Sequence, residues 1–263
     1  MKFSQKALLI LTLVCTSTLF STNVFATQTP KVVTSTFVAS NLNEELINSY
    51  TAAANNAIKT YFDASFKDSN CTPHIDVTSE ESIQAFLNAE FAEADKEAKA
   101  SNDLKGIEAW KKTLETYASG RRKVISTLGH DLVKVEYIAN DDSYDYFCQF
   151  NKSTKELISL EFFDLNALKV NALKSKNQSK VTSISSAELK SAQTLASDFI
   201  KKHKLGNIEN PTFINHKVKG NATLLYQDAN DKSKEVIVLV NPTSNKVIGF
   251  SISTYAHMEA GKF

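Results

Sequence analysis

The chain has 263 residues and a nearly balanced charge, with 30 lysines and arginines against 29 aspartates and glutamates. Such a balance gives no long-range attraction to nucleic acid or to an anionic lipid surface, which excludes the strongly basic binding proteins. Arg121 and Arg122 are the only arginines, so bidentate recognition of phosphate or carboxylate groups is not expected elsewhere on the surface. The length suits one large domain or two small ones.

Residues 1–26 have the pattern of a secretory signal peptide. Lys2 and Lys6 precede an apolar stretch that ends at Cys15, and Ala26 provides the small residue for cleavage. The apolar stretch is shorter than the roughly 20 residues that span a bilayer. We therefore predict cleavage after Ala26 and an extracellular or cell-envelope protein. A lipoprotein alternative at Cys15 lacks the usual small residue directly before the cysteine.

A first segment, residues 41–164, begins with a predicted helix. Apolar residues between Asn43 and Phe62 recur at the spacing of one helical face. Pro73 and the alternating HIDV follow, and then the strand-like runs LVKVEYIA, DYFCQF and ELISLEF. The polar stretch NKSTK at 151–155 is a predicted turn between the last two runs. The pattern favours one helix packed on an antiparallel β-meander.

An insertion at residues 79–129 interrupts this first segment with its own helical spacing. TSEE has the pattern of a capping box, in which Thr78 accepts from the first-turn amides and Glu81 reaches back. A break at ASND, residues 100–103, predicts a helical hairpin that ends at Gly129.

Two interpretations of this insertion remain open. Its apolar stripes favour a second layer that covers the sheet. Alternatively, the hairpin is a binding appendage, because insertions on a repeated scaffold often carry function. In that case Trp110, Arg121 and Arg122 are the candidate partner-binding residues.

After a linker at 165–185, the same order of elements recurs. A helix is predicted from Ser185 or Ser186 as its N-cap to the basic residues before Gly206, which suits a left-handed C-terminal position. The stretch PTFINHKV and the runs ATLLYQD, KEVIVLV and KVIGFSIS follow. We predict a second helix-plus-meander module at 186–253, and the remaining residues form a C-terminal tail.

The two segments share a sequence repeat. Residues 140–162 align without a gap on residues 230–252, and their apolar positions largely coincide. The identical positions are Asn140/Asn230, Asp141/Asp231, Ser143/Ser233, Asn151/Asn241 and Ile158/Ile248. The repeat predicts an α+β fold of two repeated modules, each one helix packed on an antiparallel β-meander, with the helical hairpin inserted in the first.

The second segment, residues 186–253, resembles the PepSY domain, a family named for peptidase propeptides and a spore-germination protein. The family's ending is a strand, an Asp or Asn, a turn of the Thr-Gly type and a Val-rich strand, which Asn241, Thr243 and Val247 match. Asn245 replaces the usual glycine and tolerates a positive φ better than most residues. Residues 41–164 would then be a weaker, diverged copy.

The resemblance implies an exported, non-enzymatic protein that binds or regulates a secreted peptidase or a cell-wall hydrolase. The alternative is an extracellular enzyme with a site between the modules, for which His130, Asp131 and His216 are the candidates. A structural envelope protein without a specific partner is also open. No cofactor or metal is predicted, because motifs for them are missing and His74 and Asp76 supply only two ligands.

Two further expectations concern single residues. Cys71 and Cys148 are the cysteines left after cleavage, and in an exported protein such a pair predicts a disulfide bond, with two buried thiols as the alternative. The last strand, 246–253, is predicted to be an exposed sheet edge on which Ile248 contacts a partner. The tail at 254–263 could instead fold back and cover that edge.

Overall fold

The computed structural model describes residues 43–64, 71–101, 104–141, 143–166 and 183–261, so the predicted leader and most of the predicted linker lie outside the described residues. Within these residues the fold is α+β, with five α-helices and one eight-stranded antiparallel sheet. The helices are α1 (Glu44–Phe62), α2 (Glu80–Ser101), α3 (Leu104–Leu128), α4 (Ser186–His203) and α5 (Ser253–Ala260). The strands are β1 (Cys71–Thr78), β2 (Leu132–Ala139), β3 (Tyr144–Asn151), β4 (Leu157–Asp164), β5 (Pro211–Lys219), β6 (Asn221–Asp228), β7 (Glu235–Asn241) and β8 (Lys246–Ile252). None of the helices in these ranges has the length and apolarity needed to cross a bilayer.

The strand order in the sheet is β1-β2-β3-β4-β8-β7-β6-β5. The first four strands form one meander and the last four form another, and the two meanders meet where β4 pairs antiparallel with β8. This seam has three registered pairs, Ser159 with Ser251, Leu160 with Phe250 and Glu161 with Gly249. Within the described residues the edges of the sheet are therefore β1 and β5.

The prediction that β8 is an exposed edge is wrong. β8 lies between β4 and β7, so both of its sides are paired. Ile248 is half-buried and packs against the side chains of Leu225, Ile237 and Leu239. The tail forms α5, which packs on the face of β7 and β8 and does not cover an edge. The strand order could not be predicted from the sequence, because either edge strand of one meander can pair with either edge strand of the other.

The helices α1 and α4 cover the same face of the sheet, and both contribute to one apolar core. Ile58 of α1 and Ile200 of α4 are fully buried there. The predicted N-cap of α4 is confirmed, since Ser185 Oγ accepts from the Glu188 amide at 3.2 Å and Glu188 returns a bond to the Ser185 amide. The C-cap is Lys204, with φ 51°, and Gly206 two residues later is left-handed as expected, with φ 58°.

A buried tyrosine on the second strand of each meander anchors the helix that lies above it. Tyr137 of β2 donates from its hydroxyl to the Thr51 carbonyl oxygen of α1 at 3.0 Å. Tyr226 of β6 donates in the same way to the Gln193 carbonyl oxygen of α4 at 2.7 Å. Because a buried hydroxyl needs a hydrogen-bond partner, each bond fixes the position of its helix on the strand beneath.

The turns β3–β4 and β7–β8 have the same local structure. The Asn151 side chain accepts from the backbone amides two and three residues later at 2.8 and 3.1 Å, and Asn241 does so at 3.0 and 3.1 Å. Each turn ends with a residue of positive φ, Lys155 at 60° and Asn245 at 49°. The expectation that Asn245 tolerates a left-handed conformation is confirmed.

The helices α2 and α3 form a hairpin with a small core of its own, made of Ile83, Leu87, Leu114 and Ala118. The predicted capping box is wrong in its residues, because Thr78 still belongs to β1. The Ser79 hydroxyl oxygen accepts from the Ser82 amide at 3.1 Å, and the Ser82 hydroxyl oxygen accepts from the Ser79 amide at 2.9 Å. The reciprocal cap is thus one residue later and uses two serines.

The helix α5 covers part of the sheet face opposite to α1 and α4. Its Ala256 packs on Leu225, Ile237 and Leu239 of the second meander. Tyr255 lies in a separate cluster with Leu132 and Ile158 of the first meander, and residues of α3 join that cluster. These contacts place α5 across the junction of the two meanders.

The predicted disulfide bond between Cys71 and Cys148 is wrong. No bond joins the two residues, and both are buried. Cys71 pairs with Ala139 and Cys148 pairs with Val135, so the cysteines lie two strands apart and four residues apart along β2. At the usual spacings within and between strands, their Cα atoms lie about 16 Å apart. This is far beyond the Cα separation of about 7 Å that a disulfide bond permits. Burial, and next the charge of Asp145, raise the pKa of Cys148, which therefore behaves as a small apolar side chain.

Candidate functional site

The edge strand β5 is the most open part of the sheet. Most of its side chains are exposed, and Ile214 is 46% exposed although it is large and apolar. One side of β5 pairs with β6, and no described strand lies on the other side. Edge strands present unpaired N–H and C=O groups, which an extended peptide can pair with.

A groove of about 290 Å³ runs between β5 and helix α4, and we call it the β5 groove. Two structural elements supply its walls. Helix α4 contributes Gln193, Thr194, Ser197 and Asp198, and the strands contribute Pro211, Phe213 and Tyr226. The groove therefore lies between the edge strand and the helix that covers its face.

The chemistry of the β5 groove is divided between an aromatic floor and a polar wall. The rings of Phe213 and Tyr226 meet edge to face, with centroids 5.8 Å apart. Burial, and next the charge of Asp198, raise the pKa of Tyr226, whose hydroxyl already donates to the Gln193 carbonyl oxygen. Asp198 is exposed, and it is the one carboxylate among the lining residues. The groove thus combines apolar ring surface with one carboxylate.

A second, open groove of about 440 Å³ lies where α3 ends and β2 begins. Glu80 and Arg122 line it together with His130 and Asp131, two of the three residues proposed for the enzyme alternative. The His130 Nδ1 atom lies 3.0 Å from the Asp131 carbonyl oxygen, and the Asp131 carboxylate pairs with Lys152 at 3.2 Å.

The third residue of that alternative is not nearby. His216 lies on β5, six strands from β2 in the sheet order, which corresponds to about 29 Å across the sheet. The structure therefore does not bring His216 to His130 and Asp131. The two metal-ligand candidates, His74 and Asp76, do not form part of a larger ligand group. Asp76 pairs with Arg121, and no group of three metal-binding side chains occurs among the described residues.

The three candidate residues of the hairpin are engaged within the chain. Trp110 is half-buried and packs against the core between α2 and α3. Arg122 binds both carboxylate oxygens of Glu80 through Nε at 2.8 and 3.0 Å, and it reaches Gln84 as well. Arg121 pairs with Asp76 of β1 at 3.1 Å and lies over the ring of Tyr117. The arginines therefore hold α3 to α2 and to the sheet.

Substitution of the two neighbouring arginines should separate these roles. Burial alone would lower the pKa of Arg121, but the charges of Asp76 and Tyr117 outweigh it and raise this pKa. We expect Arg121→Gln to lower the free energy of unfolding by about 1–2 kcal/mol, because it leaves the half-buried Asp76 unpaired. Arg122→Gln, at a more exposed pair, should cost less than about 1 kcal/mol. Urea denaturation of both variants checks this order, and equal losses would contradict it.

Several polar side chains lie on the sheet face opposite to α1 and α4, within the first meander. Glu136 is buried and pairs with Lys134 at 3.2 Å. Burial, and next the charge of Glu136 and a hydrogen bond to it, raise the pKa of Asp145 well above the ordinary range. Burial and the charge of Glu259 raise the pKa of Glu161 to about 7. We call Glu136, Asp145 and Glu161 the carboxyl group cluster. Among the described residues, Lys134 is its near counter-charge.

Sequence reasoning missed the β5 groove. In sequence PTFINHKV is only a short alternating stretch, and Ser197 and Asp198 are polar positions of an amphipathic helix. A signal was present, because a proline at the start of a strand and the lysines Lys217 and Lys219 are typical of an edge strand. The carboxyl group cluster had no such signal, since Asp145 and Glu161 alternate with apolar residues as solvent-facing residues do.

Comparison of the chain with models of known families, with curated proteins and with solved structures finds no match in any of the three. The resemblance to the PepSY domain stays a prediction.

Proposed function

We propose that the chain consists of two copies of one PepSY-like module, the first carrying the helical hairpin α2–α3. Four features recur in both halves and support this proposal. They are a side-chain-capped helix, a four-stranded meander, a buried tyrosine that donates to the helix, and an Asn-capped turn with a positive φ at its end. The capping asparagines, Asn151 and Asn241, lie at the spacing of the sequence repeat.

We further propose that this is an exported, non-enzymatic protein that binds and regulates a secreted peptidase or a cell-wall hydrolase. The observation that carries the proposal is the open edge strand β5 with a groove beside it. Backbone pairing at an edge gives affinity, and pockets for alternate side chains give specificity. The enzyme alternative lacks comparable support, because His216 lies far from His130 and Asp131.

Two neighbouring proline substitutions in β5 test this proposal. Of two adjacent residues in an antiparallel strand, one directs its backbone groups to the paired strand and the other directs them outward. One of His216→Pro and Lys217→Pro should therefore keep the sheet intact, as judged by circular dichroism and urea denaturation, and remove only an outward N–H group. We expect the well-folded variant to capture less than about a tenth of the partner that the parent chain captures.

The measurement is affinity capture from the exported fraction of the producing cell, followed by protein identification. A recurrent peptidase or cell-wall hydrolase that the parent chain retains and the folded proline variant loses supports the proposal. Lys105→Ala, on the exposed start of α3, is the matched control and should capture as the parent does. Capture that the folded proline variant retains in full would exclude β5 as the binding edge.

A further inference from the structure

We propose that the β5 groove takes a basic side chain, lysine or arginine, of an extended peptide segment that pairs with β5. The inference rests on the proposed protein-binding function and adds the chemistry of the segment that is recognised.

The position of the groove follows from strand geometry. Phe213 pairs with Tyr226, and both side chains lie on the sheet face that α4 covers. A strand added beside β5 directs every second side chain to that same face. Those side chains would lie against the exposed wall that Thr194 and Asp198 form on α4.

The size of the groove allows a single long side chain. Pockets for whole small molecules usually enclose about 300–1,000 Å³. The β5 groove, with about 290 Å³, lies at the lower end of this range and has room for one long side chain of a peptide whose backbone is held elsewhere. The backbone is held by the edge strand.

The floor of the groove suits a long aliphatic stem with a cation at its end. The half-buried ring of Phe213 offers apolar surface, with the buried ring of Tyr226 packed edge to face behind it, and a cation over an aromatic face is attracted by the ring quadrupole. Lysine and arginine bury their stems on such surface and keep their charged ends near water. The exposed position of Asp198 allows its carboxylate to meet that charged end.

The charge of the groove lining favours a cation as well, because Asp198 is the one carboxylate among the lining residues and none of the others is charged. Among the described residues no ion pair engages Asp198. The lysines of β5, Lys217 and Lys219, pair with Thr223 and Asn221. They alternate onto the face of the sheet opposite to the groove, so they do not compete for Asp198. There they also discourage unspecific pairing along the edge.

A bulge in β5 next to the groove fits the same role. The register of β5 against β6 shifts between Phe213 and Asn215, so that Ile214 is an extra residue. Bulges at sheet edges redirect side chains and end regular pairing. Here the bulge limits the stretch of β5 that a peptide can pair with. The basic side chain of the peptide would therefore lie next to Phe213.

Dye-labelled peptides test the proposal on the full chain by fluorescence anisotropy. The probes are short peptides of alternating threonine and valine with a proline at each end and one variable central residue, which is lysine, arginine, norleucine or glutamate. Norleucine keeps the stem of lysine and removes the charge. We expect the lysine and arginine peptides to bind about five- to thirty-fold more tightly than the norleucine peptide, with a preference that weakens as salt is added.

Variants of Asp198 assign this preference to the groove. Asp198→Asn should bind the lysine and norleucine peptides with equal affinity, and Asp198→Lys should favour the glutamate peptide. Asp231→Asn, which removes a carboxylate that does not line the groove, should keep the preference of the parent chain. Because Asp198 is exposed, these substitutions leave the core intact.

The outcomes separate this inference from the proposed function. If all peptides bind equally and the folded β5 proline variant abolishes their binding, edge pairing stands and the basic anchor is wrong. If no peptide binds and partner capture is insensitive to the β5 prolines, both the inference and the proposed function fail. A preference for lysine that persists in Asp198→Asn places the anchor site elsewhere and overturns the inference.

Discussion

The substitution Phe250→Ala is expected to lower the free energy of unfolding by about 3–5 kcal/mol, the usual cost of removing a fully buried aromatic side chain. Phe250 is 0% exposed and lies on β8 opposite Leu160, at the middle of the seam between the two meanders. Its ring centroid lies 4.6 Å from that of Tyr61 of α1 and 6.0 Å from that of Phe199 of α4. One side chain therefore joins both helices and both meanders.

Because the seam is short, the Phe250→Ala variant also tests whether the two meanders unfold together. β4 and β8 share three registered pairs, and β6 and β7 share six. If the seam couples the meanders, the Phe250→Ala variant should unfold in two steps or with a smaller dependence on urea concentration. Phe213→Ala, at a half-buried edge position, is the matched control and should cost less than about 2 kcal/mol. A loss below about 1 kcal/mol for Phe250→Ala would contradict the packing described.

The helices could be predicted from sequence because each buries one row of apolar side chains. The spacing of apolar residues in α1 and α4 follows the helical period. The sequence predicted Ser185 or Ser186 as the N-cap of α4, and Ser185 is the cap. The α2 cap was misplaced by one residue because Thr78 and Ser79 are both good caps. Only the pairing of Thr78 with Leu132, a contact distant in sequence, extends β1 through Thr78.

The site could not be predicted because it depends on strand order. The sequence repeat indicates two meanders, and it leaves open which strands face each other. Pairing of Leu160 with Phe250 places β8 at the centre of the sheet and leaves β5 as the open edge. The same order separates Cys71 from Cys148, whose alternating apolar surroundings look alike in sequence. Long-range pairing of this kind has no local signal.

The two meanders differ most on the face that α5 partly covers. Leu225, Ile237 and Leu239 of the second meander pack beneath Ala256. On the first meander, Asp145 and Glu161 lie among buried groups such as Glu136 and Gln149. The second meander thus has an apolar surface that a helix can cover, and the first has carboxyl groups that are costly to ionise.

This carboxyl group cluster should make the protein less stable as the pH rises. Burial raises the pKa of Glu161 to about 7, and burial with the Glu136 charge raises that of Asp145. The Oδ1 atom of Asp145 is buried and accepts no hydrogen bond from the described residues, so its ionised form is poorly compensated. Above the ordinary carboxyl pKa, the unfolded chain releases protons that the folded chain still holds. The free energy of unfolding therefore falls until the folded pKa is passed.

Urea denaturation at two pH values measures this effect. We expect the wild-type protein to lose about 2 kcal/mol of unfolding free energy between about pH 5 and about pH 8 through Glu161 alone, and more through Asp145. Glu161→Gln should lose about 2 kcal/mol less than the wild type over this range, and Asp145→Asn should be more stable than the wild type at about pH 8.

Asp231→Asn provides the control for this prediction. Hydrogen bonds from the Ser233 side chain and amide lower the pKa of Asp231, so its titration lies below the measured range. This variant should keep the wild-type decline between about pH 5 and about pH 8. A Glu161→Gln variant with the same decline as the wild type would show that Glu161 is ionised at no cost in the folded chain. The cluster would then be well solvated, and the burial assigned to it would be wrong.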